Sequence, residues 1–112
     1  MHRPGANPAE MHPEDFLCDF CGRAWNGEFP MVEGHQGSLI CGSCLTVAYA
    51  EVVRAKQGTA PDGYRCTMCL EERDDPGWRS PARETACACA RCLRQAGAQL
   101  EKDPDWEWTR PA

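Results

Sequence analysis

The chain has 112 residues and a formal net charge of -5, from 17 acidic and 12 basic side chains, and it carries nine cysteines. So short a chain makes one ordinary domain or two very small ones, and very small modules bury too little apolar surface to fold without metal, disulfides or a partner. The acidic balance disfavours a phosphate-tracking surface, and no stretch approaches the ~18 apolar residues of a membrane span.

Residues 1–13 are polar and proline-rich and are expected to be disordered. They contain no apolar run of the kind a signal peptide needs, so a reducing, cytoplasmic setting is expected, where clustered cysteines read as metal ligands rather than disulfides. Residues 14–58 form the first module. Cys18-Asp19-Phe20-Cys21-Gly22 reads as a knuckle, with Gly22 allowing the tight turn after the second cysteine. Phe29-Pro30-Met31-Val32 and Ser38-Leu39-Ile40 read as two short strands, reversed through Gly34-His35-Gln36-Gly37. From Gly42 the apolar residues Leu45, Ala48, Tyr49, Val52 and Val53 recur at helical spacing, which predicts a helix over 42–57 with a stop at Gly58. Cys41 and Cys44 then sit at its first turn, where backbone N–H groups point at the sulfurs.

A short linker, 59–63, leads to a second module over 64–101. Shifting Cys18, Cys21, Cys41 and Cys44 by 48 residues lands on Cys66, Cys69, Cys89 and Cys92, so both halves read C-x2-C-x19-C-x2-C and only Cys87 has no counterpart. Four coincidences at one offset mark a duplicated unit. Cys66-Thr67-Met68-Cys69 is the second knuckle, Asp74-Asp75-Pro76-Gly77 a turn, and Trp78-Arg79-Ser80 with Glu84-Thr85-Ala86-Cys87 the expected strands, the first limited by Pro81. The second helix is expected to begin near Ala90 and to use Leu93, Ala96 and Leu100; Gly97, in the place of Tyr49, weakens it, and its polar surface suggests that it packs against less protein than the first. The tail 102–112 places Trp106 and Trp108 among acids. Two residues apart in extended chain, they point the same way and are expected to pack on the fingers, with Trp25 and Trp78 the nearest aromatic candidates.

Each quartet supplies the set of four sulfurs that a tetrahedral zinc favours, although iron uses the same atoms. Cys18, Cys21, Cys41 and Cys44 are the candidate ligands of one ion, and Cys66, Cys69, Cys89 and Cys92 those of a second. Loading both with zinc takes the net charge to about -9. Knuckle, short β-hairpin and metal-bearing helix make a treble clef. The expected fold is therefore small α+β and metal-stabilised, with two tandem treble-clef-like zinc fingers of the four-cysteine type.

The first module resembles the C4-type zinc-binding domain at the N-terminus of the ClpX protein-unfolding ATPases. The resemblance rests on Phe16-Leu17-Cys18-Asp19-Phe20-Cys21-Gly22-Arg23, Met31-Val32-Glu33-Gly34 and Leu39-Ile40-Cys41-Gly42-Ser43-Cys44-Leu45. It covers residues 16–53, and residues 64–100 only through the repeat. It implies a dimerising treble clef that receives adaptors and some substrates, with Cys18, Cys21, Cys41 and Cys44 on zinc and Phe20, Val32, Leu39 and Leu45 packing. The chain has no P-loop and no room for an ATPase domain, so unfoldase activity is not implied. A duplicated finger raises the expectation that the two copies reproduce, within one chain, the pairing made there by two chains.

A catalytic zinc keeps an open position, whereas four thiolates fill every one, so no enzyme is expected. His2 and His12 lie in the N-terminal tail, and His35 lies in a hairpin turn as a solvated polar residue. Two matched quartets do not fit a thioredoxin-like redox site, although an exposed cluster that loses zinc on oxidation is a further alternative. The reading that remains is a module for protein–protein interaction or dimerisation, adaptor-like or regulatory. Nucleic-acid binding is the main alternative, as it is common among small zinc proteins, but only Arg54 and Lys56 on one helix and Arg91 and Arg94 on the other could serve it.

Overall fold

The computed structural model describes residues 1–112. After the first knuckle, β1 (Met31–Glu33) pairs antiparallel with β2 (Leu39–Cys41), placing Met31 opposite Cys41, and α1 (Gly42–Ala48) follows without a break. After the second knuckle, β3 (Gly77–Arg79) pairs with β4 (Cys87–Cys89), placing Gly77 opposite Cys89, and α2 (Ala90–Glu101) follows. The chain is therefore a small α+β fold of two treble-clef-like fingers, each built around one cysteine quartet.

The repeat seen in the cysteines extends to the backbone. Cys18 N donates to Arg23 O at 3.0 Å and Cys66 N to Glu71 O at 2.9 Å. Leu39 N donates to the Asp19 carboxylate at 2.7 Å, and Cys87 N to the Thr67 hydroxyl at 3.1 Å. The left-handed knuckle position is Gly22 (φ 76°) in one copy and Leu70 (φ 65°) in the other. One strand breaks the offset: Met31 and Gly77, which face the equivalent cysteines Cys41 and Cys89, are 46 rather than 48 residues apart. The second copy has a shorter segment between knuckle and hairpin and a longer hairpin turn, and the two changes cancel in the cysteine spacing. For this reason the return strand begins at Cys87 and not at Glu84. Residues 80–86 close the turn through Ser80 N to Ala86 O (3.0 Å), and Pro81 has no N–H with which to continue β3.

The first helix is shorter than the sequence suggested. α1 passes into a single π-helical turn, Tyr49–Arg54, with Ala55 N bonded to Ala50 O at 2.9 Å. The chain leaves it at Lys56, whose left-handed φ of 57° takes the terminating role assigned to Gly58. α2 is the regular helix, and its six buried residues, among them Leu93, Ala96 and Leu100, overturn the expectation that it would pack against little.

The reason lies in how the fingers meet. One core of 21 buried residues runs through both, including Phe20, Ile40 and Leu45 from the first and Trp78, Leu93 and Leu100 from the second. The contacts are reciprocal: β1 packs on α2 as β3 packs on the π-helical turn that follows α1. Met68 O accepts from His35 N at 2.7 Å, and its repeat equivalent Phe20 O accepts from the Ser80 hydroxyl. This is the self-complementary pattern of a two-fold dimer, made here inside one chain. On its axis, equivalent residues face each other as large against small. A Cβ at Gly97 would stand 2.8 Å from Cε2 of Tyr49, so the glycine makes room for the ring.

Both termini return to the fingers. Trp108 stacks edge-on against Tyr49 (6.4 Å between centroids) and donates to the Thr46 hydroxyl at 2.9 Å, rather than meeting Trp25 or Trp78. Arg110 pairs with Glu101 at 3.1 Å, which holds this strap across both helices. At the other end, where disorder was expected, Met1 N bonds Leu17 O (3.0 Å), Asp19 Oδ2 (2.9 Å) and Gly37 O (3.0 Å), and His2 packs against Phe16. Three acceptors converging on one ammonium supply the anchor that the polar composition did not reveal. No helix is long and apolar enough to cross a membrane.

Candidate metal centres

Each knuckle delivers two sulfurs and each strand–helix junction delivers two more. Cys41 and Cys89 cap α1 and α2, and each sulfur accepts from the backbone N–H three residues on, Cys44 N and Cys92 N, at 3.5 Å. Cys18 Sγ accepts from Phe20 N (3.4 Å) and Cys41 N (3.3 Å). Cys66 Sγ likewise accepts from Cys69 N (3.4 Å) and Cys89 N (3.3 Å). These donors moderate negative charge on sulfur, which is what a cluster of thiolates needs from its surroundings.

The structure brings Cys18, Cys21, Cys41 and Cys44 together, and separately Cys66, Cys69, Cys89 and Cys92, with all Sγ atoms of a quartet within 4.8 Å of one another. The separations are 4.0 Å for Cys18–Cys44, 3.8 Å for Cys21–Cys41, 3.8 Å for Cys66–Cys92 and 4.0 Å for Cys69–Cys89. Thiolates ~2.3 Å from a central ion define a tetrahedron with edges of ~3.8 Å. Each quartet therefore has the dimensions of a single four-coordinate metal ion, and the donor set fits one.

Four sulfurs so close cannot all ionise unaided. Hydrogen bonds from Cys41 and Cys44 pull the Cys18 thiol far down, and the bond to Cys18 pushes Cys41 up to about 11 and Cys44 beyond the ordinary thiol range. The second quartet repeats this, with Cys66 lowered by Cys89 and Cys92, Cys89 raised to about 11 and Cys92 higher still, both through Cys66. A divalent cation at the centre reverses the pressure on every raised thiol at once. Cys87 stands apart. It takes the place of Leu39 in the hairpin, is buried, belongs to neither quartet, and burial pushes its thiol up.

The surroundings of the two centres differ in ways the sequence reading missed. Beside the second, Glu71 accepts from Arg91 (3.0 Å) and Arg73 (3.1 Å), and these guanidiniums, Arg91 first, hold its carboxyl low. Arg91 lies next to Cys69 in a 520 Å³ cleft that also takes in Glu33, His35 and Gln95. The equivalent groove beside the first centre, 270 Å³, has Arg23, Ser43 and Val47 where the second has Glu71, Arg91 and Gln95, and is also lined by Phe20, Trp78 and Pro81. Laying the two copies side by side at an offset of 48 would have exposed these exchanges, but not that the positions line a groove. Glu33 and His35 line the same cleft, where the only thiols, Cys69 and Cys92, belong to the second quartet. Comparison of the chain with protein-family models, curated proteins and solved structures finds no match.

Proposed function

We propose that the chain binds two zinc ions and serves as a protein–protein interaction module in the cytoplasm, adaptor-like or regulatory, with no catalysis of its own. The ligands are Cys18, Cys21, Cys41 and Cys44 at one centre and Cys66, Cys69, Cys89 and Cys92 at the other, within modules spanning 14–58 and 64–101. Four thiolates on a single ion favour zinc, and leave no position for substrate. The finer likeness, to the ClpX-type domain, is supported by the reciprocal packing of the two fingers, which has the form of a dimer of such units.

The observation that carries the interaction reading is the groove beside the first centre. Phe20, Val47, Trp78 and Pro81 line it, and Val47, 47 % exposed, is the one large hydrophobic side chain left in solvent. Apolar surface beside a rigid, metal-held scaffold is what a partner recognises. Nucleic-acid binding has less support, because two of its four candidate cations are already engaged, Arg91 by Glu71 and Arg54 by the Pro111 carbonyl.

Metal content and binding are tested together. Reduced protein is expected to carry two zinc ions by elemental analysis, one for each quartet. Val47→Glu is expected to keep both ions and to lose the partner that the wild-type chain captures from native extract. Submicromolar, salt-sensitive binding to mixed DNA or RNA would overturn the reading in favour of the nucleic-acid alternative.

A further inference from the structure

Two chemically identical ligand sets in one chain invite comparison of what surrounds them. Cys21 is the one exposed residue among the nine cysteines, whereas its equivalent Cys69 is partly covered. Cys44 is partly exposed and its equivalent Cys92 is buried. Cys21 and Cys44 are therefore more exposed than their counterparts, on a groove where Val47 and Pro81 stand over the buried Phe20 and Trp78. The cleft beside the second is lined by Cys69 and the buried Cys92 together with Arg91, which Glu71 fixes in place at 3.0 Å. The first centre has Ser43 at that position, and the one guanidinium in its groove, Arg23, is stacked 3.8 Å over the Phe29 ring.

Four thiolates leave a zinc centre with a net charge of -2, and nearby donors and cations lower the nucleophilicity of the sulfurs by drawing off that charge. The exposed centre is thus also the one with Ser43 where the other has Arg91, the guanidinium of Arg83 lying against Gly22 of its knuckle. From this asymmetry we infer that the first centre is a modification site, at which Cys21 reacts with a neutral hydroperoxide and releases its metal while the second centre holds. The inference rests on the reading that both quartets carry zinc.

The chemistry closes on residues already in place. The Cys21 thiolate attacks the terminal peroxide oxygen, the O–O bond breaks, and the departing alkoxide, or hydroxide from hydrogen peroxide, takes up a proton to become the alcohol or water. Cys21 now carries a sulfenic acid. Cys41 Sγ, 3.8 Å away, attacks the Cys21 sulfur and displaces hydroxide, which is also protonated. Two thiolates have lost two electrons in all, the peroxide has gained them, a Cys21–Cys41 disulfide has formed, and Cys18 and Cys44 alone cannot hold the ion. α1, capped by Cys41, is the element that this release loosens.

The experiment uses the full chain loaded with zinc, its content first measured by elemental analysis, and treats it with hydrogen peroxide in the presence of a chromogenic chelator. Two phases are expected, the first about tenfold or more faster than the second, in line with the weight of groups flanking metal ligands. Peptide mapping after the fast phase should find a Cys21–Cys41 disulfide with Cys66, Cys69, Cys89 and Cys92 intact. Ser43→Arg, which copies the second centre's cation onto the exposed first turn of α1, should slow the fast phase, and Arg91→Ser should quicken the slow one. A chain that carries no zinc would sink the function proposed above. Two ions lost at a single rate, a first disulfide within the second quartet, or rates blind to both substitutions would sink this inference while leaving that function standing.

Discussion

Replacing Gly97 by alanine tests the packing of the two fingers at their axis. In an exposed helix this change stabilises by about 1 kcal/mol, because glycine gives up more backbone freedom. Here the new methyl would lie 2.8 Å from Cε2 and 3.2 Å from Cδ2 of Tyr49, closer than side chains tolerate. Tyr49 is only 3 % exposed and is backed by Trp108, so the ring has little room to withdraw. Overpacking of this kind costs about 1–3 kcal/mol, which against a propensity gain of about 1 kcal/mol leaves a net loss of up to about 2 kcal/mol. Thermal unfolding at a buffered free-zinc concentration should show the midpoint lowered, by up to about 10 °C. In a Tyr49→Leu background the ring is gone, and the same substitution should become stabilising by about 1 kcal/mol. If Gly97→Ala stabilises the wild-type chain, or costs the same in both backgrounds, the pairing of Tyr49 with Gly97 is not what shapes this interface.

Ser80→Ala should cost about 2–3 kcal/mol in the same unfolding assay, because it strands the buried Phe20 carbonyl and removes the acceptor for Ala82 N and Arg83 N. A loss below about half a kcal/mol would mean that this bond between the fingers is dispensable. Leu70→Gly should stabilise by about 0.5–1 kcal/mol, since Leu70 holds a left-handed φ of 65° that glycine adopts freely; a clear loss would show that its half-buried side chain matters more. Metal binding at pH 7 should release at least two protons per centre, from Cys41 and Cys44 and from Cys89 and Cys92, all held above the usual thiol range. Their protons must leave for the ion to bind, so affinity falls as pH falls, and calorimetry in buffers of different ionisation enthalpy measures the release.

The cysteine spacing by itself determined the two quartets, the duplication and the knuckle–hairpin–helix order. Those features are local: a C-x-x-C knuckle, a strand ending on a cysteine and a helix capped by that cysteine depend on residues a few positions apart. Local signals had limits even there. Equal x19 loops concealed two compensating changes of length, and the π-helical turn after α1 and the terminating Lys56 carry no mark in the hydrophobic period. What only the tertiary structure decided is everything that depends on the two-fold pairing of the fingers. It set Gly97 beneath Tyr49, gave α2 a buried face, carried the tail to Tyr49 and Thr46 rather than to Trp25 or Trp78, and left one centre open beside Val47 while the other has Arg91 beside it. The physical reason is that pairing joins positions unrelated by any sequence period. A pattern of apolar residues shows that a face must be covered, and only complementarity of shape, large side chain against small, chooses which surface covers it.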